Sequence, residues 1–166
     1  MAISTVVKTK RDGKLTLKDN GGANTLEVAY EAGDFNLTIP GPAVVNNLDR
    51  GKFGANPSLR YSDDQAMTAT FSAMLRDLSD AAYATLEEVI MQSGLVGSGW
   101  VSTGGANAEV FTLDVTFDIE GTGHGDANDH SLTLPNCVVT GSIAEGDPDT
   151  ISISITSYSN FPTAIS

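Results

Sequence analysis

Residues 111–120 alternate without a break: Phe111, Leu113, Val115, Phe117 and Ile119 are apolar, while Thr112, Asp114, Thr116, Asp118 and Glu120 are polar. A period of two puts successive side chains on opposite faces, so this stretch predicts a strand with one buried and one wet face. The pattern recurs along the chain. Leu26, Val28 and Tyr30 alternate with Thr25, Glu27 and Ala29, and Phe35, Leu37 and Ile39 run up to Pro40. Met67, Ala69, Phe71, Ala73 and Leu75 oppose Thr68, Thr70 and Ser72. Ile151, Ile153 and Ile155 oppose Ser152, Ser154 and Thr156. Leu132 and Leu134 begin another strand, whose apolar phase shifts at Pro135-Asn136 to Cys137 and Val139. Such a shift at proline predicts a bulge or an edge position.

Turn residues separate these runs. Residues 3–10 and 14–18 read as two strands joined through Asp12-Gly13, because Asp-Gly between extended runs is a hairpin signal. Asn20-Gly21-Gly22, Gly33-Asp34 and Gly146-Asp147-Pro148 mark further turns. Residues 78–94 alone read as a helix. Ser79 suits the N-cap and Asp80 the first turn. Ala82, Leu86, Val89 and Ile90 form one apolar stripe, Glu87 and Glu88 fall off it, and Gly94 offers the left-handed position that ends a helix. A lone amphipathic helix needs a sheet to cover its stripe. The expectation is a mainly β fold, with two antiparallel sheets in a sandwich or roll and one flanking α-helix.

Residues 41–65 break the alternation. Pro42, Gly51, Gly54 and Pro57 punctuate them, and Arg50, Lys52 and Arg60 carry three of the nine basic residues. Loops this long are usually functional or disordered. Phe53, Leu59 and Tyr61 argue against a solvated linker. The stretch predicts an extended arm or hairpin that orders against a neighbouring subunit.

The 166 residues suit one domain spanning 1–166, long enough to bury a core without disulfides. A single cysteine, Cys137, excludes an intrachain disulfide and makes a reducing, cytoplasmic setting the default. The opening Met-Ala-Ile-Ser-Thr-Val-Val-Lys lacks the pattern of a secretory signal, and no run has the apolar length of a membrane span. A soluble protein made without an export signal is expected. The net charge of −12 is unevenly spread. All nine Lys and Arg lie at or before Arg76, whereas residues 77–166 hold 13 acidic groups and none of either cation. An acidic surface of that kind repels nucleic acid.

Motifs for chemistry are sparse. His124, His130, Asp126 and Asp129 share one polar loop, but their spacing matches neither zinc nor calcium signatures. A solvated turn is the simpler reading. Gly121, Gly123 and Gly125 make no dinucleotide fingerprint, and Gly94, Gly97 and Gly99 lack the Lys and Ser/Thr of a phosphate loop. Cys137 falls on an apolar phase with no cation near it in sequence, which suits a core residue and not a nucleophile. Trp100 suits a cap on a hydrophobic edge better than a sugar platform. No catalytic residue, cofactor or metal site is expected.

Several segments in order then carry a resemblance: the Arg11 to Asp19 hairpin, 25–30, 34–39, the arm from Arg50-Gly51-Lys52 to Asp63-Asp64-Gln65, the 67–75 strand, the helix ending at Gln92-Ser93-Gly94, and the final strands. In order and spacing the chain resembles the major tail tube proteins of long-tailed bacteriophages of the siphophage type. The resemblance implies self-assembly into hexameric rings that stack into a virion tail tube, made in the host cytoplasm. It implies tape-measure, terminator and tip proteins as partners, no catalysis, and DNA passing through without specific binding. On this reading the acidic bore face is Thr112, Asp114, Thr116, Asp118 and Glu120, with Thr68, Thr70 and Ser72 as second candidates. The arm residues Arg50, Lys52, Phe53, Leu59, Arg60 and Tyr61 would meet a neighbouring subunit. Two other readings stay open: an inner tube of a contractile tail or secretion device, and a monomeric β-sandwich module binding carbohydrate or calcium.

Overall fold

The computed structural model describes residues 13–31, 34–41, 44–48, 57–61, 65–76 and 82–159. Among these, nine strands and two short helices follow in the order β1 (Gly13–Lys18), β2 (Thr25–Val28), β3 (Asn36–Thr38), β4 (Val44–Leu48), β5 (Pro57–Tyr61), β6 (Met67–Met74), α1 (Leu86–Met91), α2 (Gly94–Gly99), β7 (Leu113–Ile119), β8 (His130–Ala144) and β9 (Thr150–Ser157). Seven strands form one antiparallel sheet in the order β2-β1-β7-β8-β9-β6-β3, and β4 pairs with β5 apart from it. The mainly β class with a helical flank is therefore as expected. The expected partner strand at 3–10 lies outside the described residues.

The large sheet curls until its ends meet. Just beyond β2, Tyr30 makes a bridge to Ala73 of β6, and the Glu31 amide donates to the Ser72 carbonyl at 2.8 Å. Phe35, next to β3, stacks on Phe117 of β7 with ring centroids 4.5 Å apart. Tyr30 meets Phe71 edge-on at 6.2 Å, and its hydroxyl donates to the Gly13 carbonyl at 3.4 Å. One core results. Leu15, Leu17, Met67, Phe71, Leu113, Val115, Leu134, Ile151, Ile153 and Ile155 are all buried in it. The two layers expected from sequence are thus the halves of one rolled sheet.

The roll turns on β8. Its first part pairs with β7 and its remainder with β9. Leu113 sits opposite Cys137 and Val115 opposite Leu134, so β8 carries an extra residue at Pro135-Asn136. Extra residues of this kind bend a strand and re-aim its side chains. Asn136 is left-handed, with φ 51°. Its amide donates to Asp114 Oδ1 at 3.1 Å, and Ser157 Oγ donates to the Pro135 carbonyl at 2.6 Å. The expected phase shift is a bulge, and it lies in an interior strand, where the lost ladder bonds are replaced by these side chains.

The helical region differs from expectation. Ser79 and Asp80 lie outside the described residues, and the helix begins only at Leu86, capped by Thr85, whose hydroxyl accepts from the Glu88 amide at 3.4 Å. Gln92 (φ 50°) ends α1, and Gly94 (φ 57°) starts α2 instead of closing a single helix. Glu87 and Glu88, off the apolar stripe, are buried. For Glu88 the reason is the tight turn between the helices. Glu88 folds beneath it and accepts from the Leu95 amide at 3.3 Å. A side chain at position 94 would collide with that carboxylate. Ile90 of α1 reaches Gly141, where an added Cβ would lie 2.6 Å from Ile90 Cδ1.

Candidate functional site: a hydroxyl-lined sheet face

Alternation fixes which side chains share the outer face of the sheet. In β6 the residues Met67, Ala69, Phe71 and Ala73 are buried, so Thr68, Thr70 and Ser72 point away from the core. In β9 the buried set is Ile151, Ile153 and Ile155, which turns Ser152, Ser154 and Thr156 the same way. Register then assembles rows. Thr38, Thr68, Thr156 and Val138 make one row; Asn36, Thr70, Ser154 and Thr140 make the next; Ser72, Ser152 and Ser142 make a third. Nine of these eleven residues carry hydroxyls, and none is charged.

The face is open. Thr68, Thr70, Thr140, Ser142, Ser152 and Ser154 are exposed, and a shallow groove of about 400 Å³ runs along Thr70, Ser72, Thr140, Ser142, Ser152 and Ser154. The Thr140 hydroxyl donates to the Ser154 carbonyl at 3.2 Å. Asp34 lines the same groove, and its Oδ2 accepts from the Ser72 amide at 2.7 Å.

The other end of the same face is charged. Lys14 lies opposite Asp118, Thr16 opposite Thr116 and Lys18 opposite Asp114. Lys14 also binds Glu27 at 2.6 Å, and this bond, with the nearby Asp118 charge, pushes its pKa up. Asp118 accepts from the Ser131 hydroxyl, and Asp114 from the bulge amide of Asn136. Thr16 and Thr116 are buried, at 6% and 4% exposure.

The sequence-nominated residues therefore separate. Thr68, Thr70 and Ser72 lie on the open hydroxyl face. Asp114, Thr116 and Asp118 lie on the charged end, beside the lysines of β1. Thr112 precedes β7 and is tied to Ser102 and Thr103, with hydroxyls 3.2 and 2.7 Å away. Glu120 is exposed just after β7. Asn36, Thr38, Thr140, Ser142, Ser152, Ser154 and Thr156 were missed. Their alternation is visible in the sequence, but their adjacency to Thr68 and Thr70 is set by long-range pairing. Leu59, Arg60 and Tyr61 fall in β5, opposite Asn46, Val45 and Val44 of β4, so part of the expected arm is an antiparallel hairpin. Arg50, Lys52 and Phe53 lie outside the described residues.

The remaining groups serve the scaffold. Asp129 Oδ1 accepts from the Gly121 amide, the Thr122 amide and the Thr122 hydroxyl at 2.8–3.0 Å, which orders the polar loop, and His130 Nε2 lies 3.1 Å from Asp126. Among the described residues no three His, Cys, Asp or Glu gather as a metal site. Cys137 is fully buried, and burial pushes its thiol pKa up to about 12. Trp100 is half-buried at the end of α2 and packs on the core.

No family model matches this sequence, and no curated protein sequence does. Two solved assemblies contain chains of similar fold. One is the PVC sheath–tube complex of an extracellular contractile injection system in its extended state (TM-score 0.50, 9% identity, covering 88% of this chain and 85% of that one). The other is the 6-fold symmetrised baseplate of the anti-feeding prophage (TM-score 0.51, 9% identity, covering 96% and 95%). At that identity the likeness is one of fold.

Proposed function

We propose that this chain is the repeating subunit of a tube, built from stacked rings of identical copies. The observation that carries this reading is the four-stranded hydroxyl face with an open strand at each side. Among the described residues, no strand pairs with the outer edge of β3, and none pairs with residues 138–144 on the side away from β9. Open edges invite pairing with another chain. A ring of copies joined edge to edge would close a barrel whose inner wall is the hydroxyl rows, with Thr68, Thr70 and Ser72 among them and Asp114 and Asp118 toward its margin.

The fold likeness to chains of two contractile assemblies, over most of each chain, favours an inner tube of a contractile device over a siphophage tail. The symmetry of one of them agrees with hexameric rings. In this reading the β4–β5 hairpin and its connecting residues, with Arg50, Lys52, Phe53, Leu59, Arg60 and Tyr61, reach the acidic surface of a neighbouring copy. The other partners are a surrounding sheath, end proteins that stop and start the tube, and a tape-measure protein or equivalent inside it. The role is structural and not enzymatic.

Negative-stain electron microscopy across a concentration series, with and without co-expressed sheath, tests this. Rings or hollow tubes that bind sheath are the expected result. Monomers at every concentration, with a thermal shift on adding calcium or glycan, would replace the tube with the binding-module reading.

A further inference from the structure

We propose that the cavity between β2, the end of β6 and residues 83–87 binds a free, large apolar amino acid, with Glu87 taking its ammonium and Arg76 its carboxylate. The site belongs to a single chain and does not depend on the tube reading. The cavity holds about 340 Å³, within the range of small-molecule pockets. Leu26, Met74, Tyr83 and Leu86 supply its apolar wall. Met74 and Tyr83 are exposed, so the wall keeps apolar surface in water that a ligand would cover.

Two charges in the lining are uncommitted. Glu87 is only 3% exposed, yet among the described residues none donates to its carboxylate. Its neighbour Glu88, by contrast, accepts from the Leu95 amide. A buried carboxylate without a donor is costly, and an ammonium brings donors and the opposite charge. Arg76 lines the same cavity, is exposed, and among the described residues pairs with nothing. Its planar guanidinium fork matches a carboxylate. Glu27 is the third charge in the lining, and Lys14 holds it at 2.6 Å. Glu87 and Arg76 do not pair with each other, so both remain open to a ligand. A ligand that is only a cation is opposed by Arg76, and one that is only an anion is opposed by Glu87. An amino acid carries both charges beside its side chain. A residue inside a polypeptide has neither on its backbone, which selects the free form.

Saturation-transfer NMR tests this, because it reads the ligand and serves the dispersed chain and any assembly alike. The probes are phenylalanine, N-acetylphenylalanine, which lacks the ammonium, and phenylalaninamide, which lacks the carboxylate. Phenylalanine is expected to bind with a dissociation constant on the order of 1 mM. Each derivative is expected to bind about tenfold more weakly. Glu87→Gln is expected to weaken phenylalanine about tenfold and to leave N-acetylphenylalanine unchanged. Arg76→Gln is expected to weaken phenylalanine by a similar factor and to leave the amide unchanged. Arg76 is exposed, so this second variant serves if Glu87→Gln fails to fold. No saturable signal from phenylalanine would overturn the site. Equal binding of all three probes would show an apolar cleft that does not read charge. A variant that weakens all three probes alike would give its side chain a structural role and overturn its assignment to a ligand charge.

Discussion

The outer face of the rolled sheet has two ends of unlike chemistry. Around β3, β6, β9 and the second part of β8 it is open and lined with hydroxyls, with the Asp34 carboxylate beside Ser72. Around β1, β7 and the first part of β8 it is charged, with Lys14 and Lys18 matched to Asp118 and Asp114 and with Thr16 and Thr116 buried between them. The boundary is the bulge at Pro135-Asn136. Both ends share one apolar core, so the difference is not one of foldedness. It shows that a strongly acidic chain can thin the charge on one surface by placing acids in turns and opposite lysines.

The comparison can be broken at several levels, beginning with the shared core. Phe71→Ala removes a side chain that is 2% exposed and touches the closing aromatic cluster. A loss of about 3–5 kcal/mol is expected in urea denaturation. The loss is expected in a single transition; two separate transitions would show that the halves fold independently.

A narrower attack is Gly13→Ala. The new Cβ would lie 2.6 Å from the Phe117 ring and 2.8 Å from the Tyr30 hydroxyl, at the seam where the sheet closes. Overpacking of this kind costs about 1–3 kcal/mol. A neutral result would mean that the closure is looser than the aromatic contacts indicate.

Asp19 tests how the charged end is fastened. Burial pushes its pKa up, but donations from Asn24, Val101 and Ala23 outweigh this and hold it below the ordinary carboxylate value. The carboxylate accepts from Asn24 Nδ2 at 2.7 Å and from the Asn24 amide at 3.0 Å. Stability from a depressed pKa is complete above the unfolded value, near 4, and is lost as pH falls through the lower folded value. Asp19→Asn is expected to cost about 1–2 kcal/mol at pH 7. Its stability should converge with wild type as the solution is acidified below about pH 4; a constant gap would count against the assignment.

The smallest effects sharpen the contrast. Lys14→Ala removes an exposed ion pair and is expected to leave the urea midpoint unchanged. Thr70→Ala on the open face is expected to shift stability by no more than about 0.5 kcal/mol. A large loss at Thr70 would make the hydroxyl rows a structural feature and not a free surface.

Most strands were legible because one-sided burial writes a period of two into the chain. The faces of β6, β7 and β9 could be named residue by residue. The prolines and glycines of 41–65 marked a break in the alternation, and within it β4 and β5 pair antiparallel. Neighbourhood was not legible. Thr68 was named as a second candidate after Asp114, and the sequence could not show that β9 and β8 stand between their strands. Lys14 and Lys18 lie far from Asp114 and Asp118 in sequence, so the pairing that neutralises β7 could not be seen. Buried Glu87 and Glu88 escaped notice because the apolar stripe predicted one long helix. Thr85 and Gln92 instead cap one short helix, and Ser93 and Trp100 flank a second.

A cryo-electron microscopy reconstruction of the assembled protein tests the central claim most directly. The account predicts a hollow tube whose lumen shows Thr70, Thr140 and Ser154, with β3 of one copy paired to residues 138–144 of the next. A tube with those residues on its outer surface, or copies joined through other elements, would contradict it.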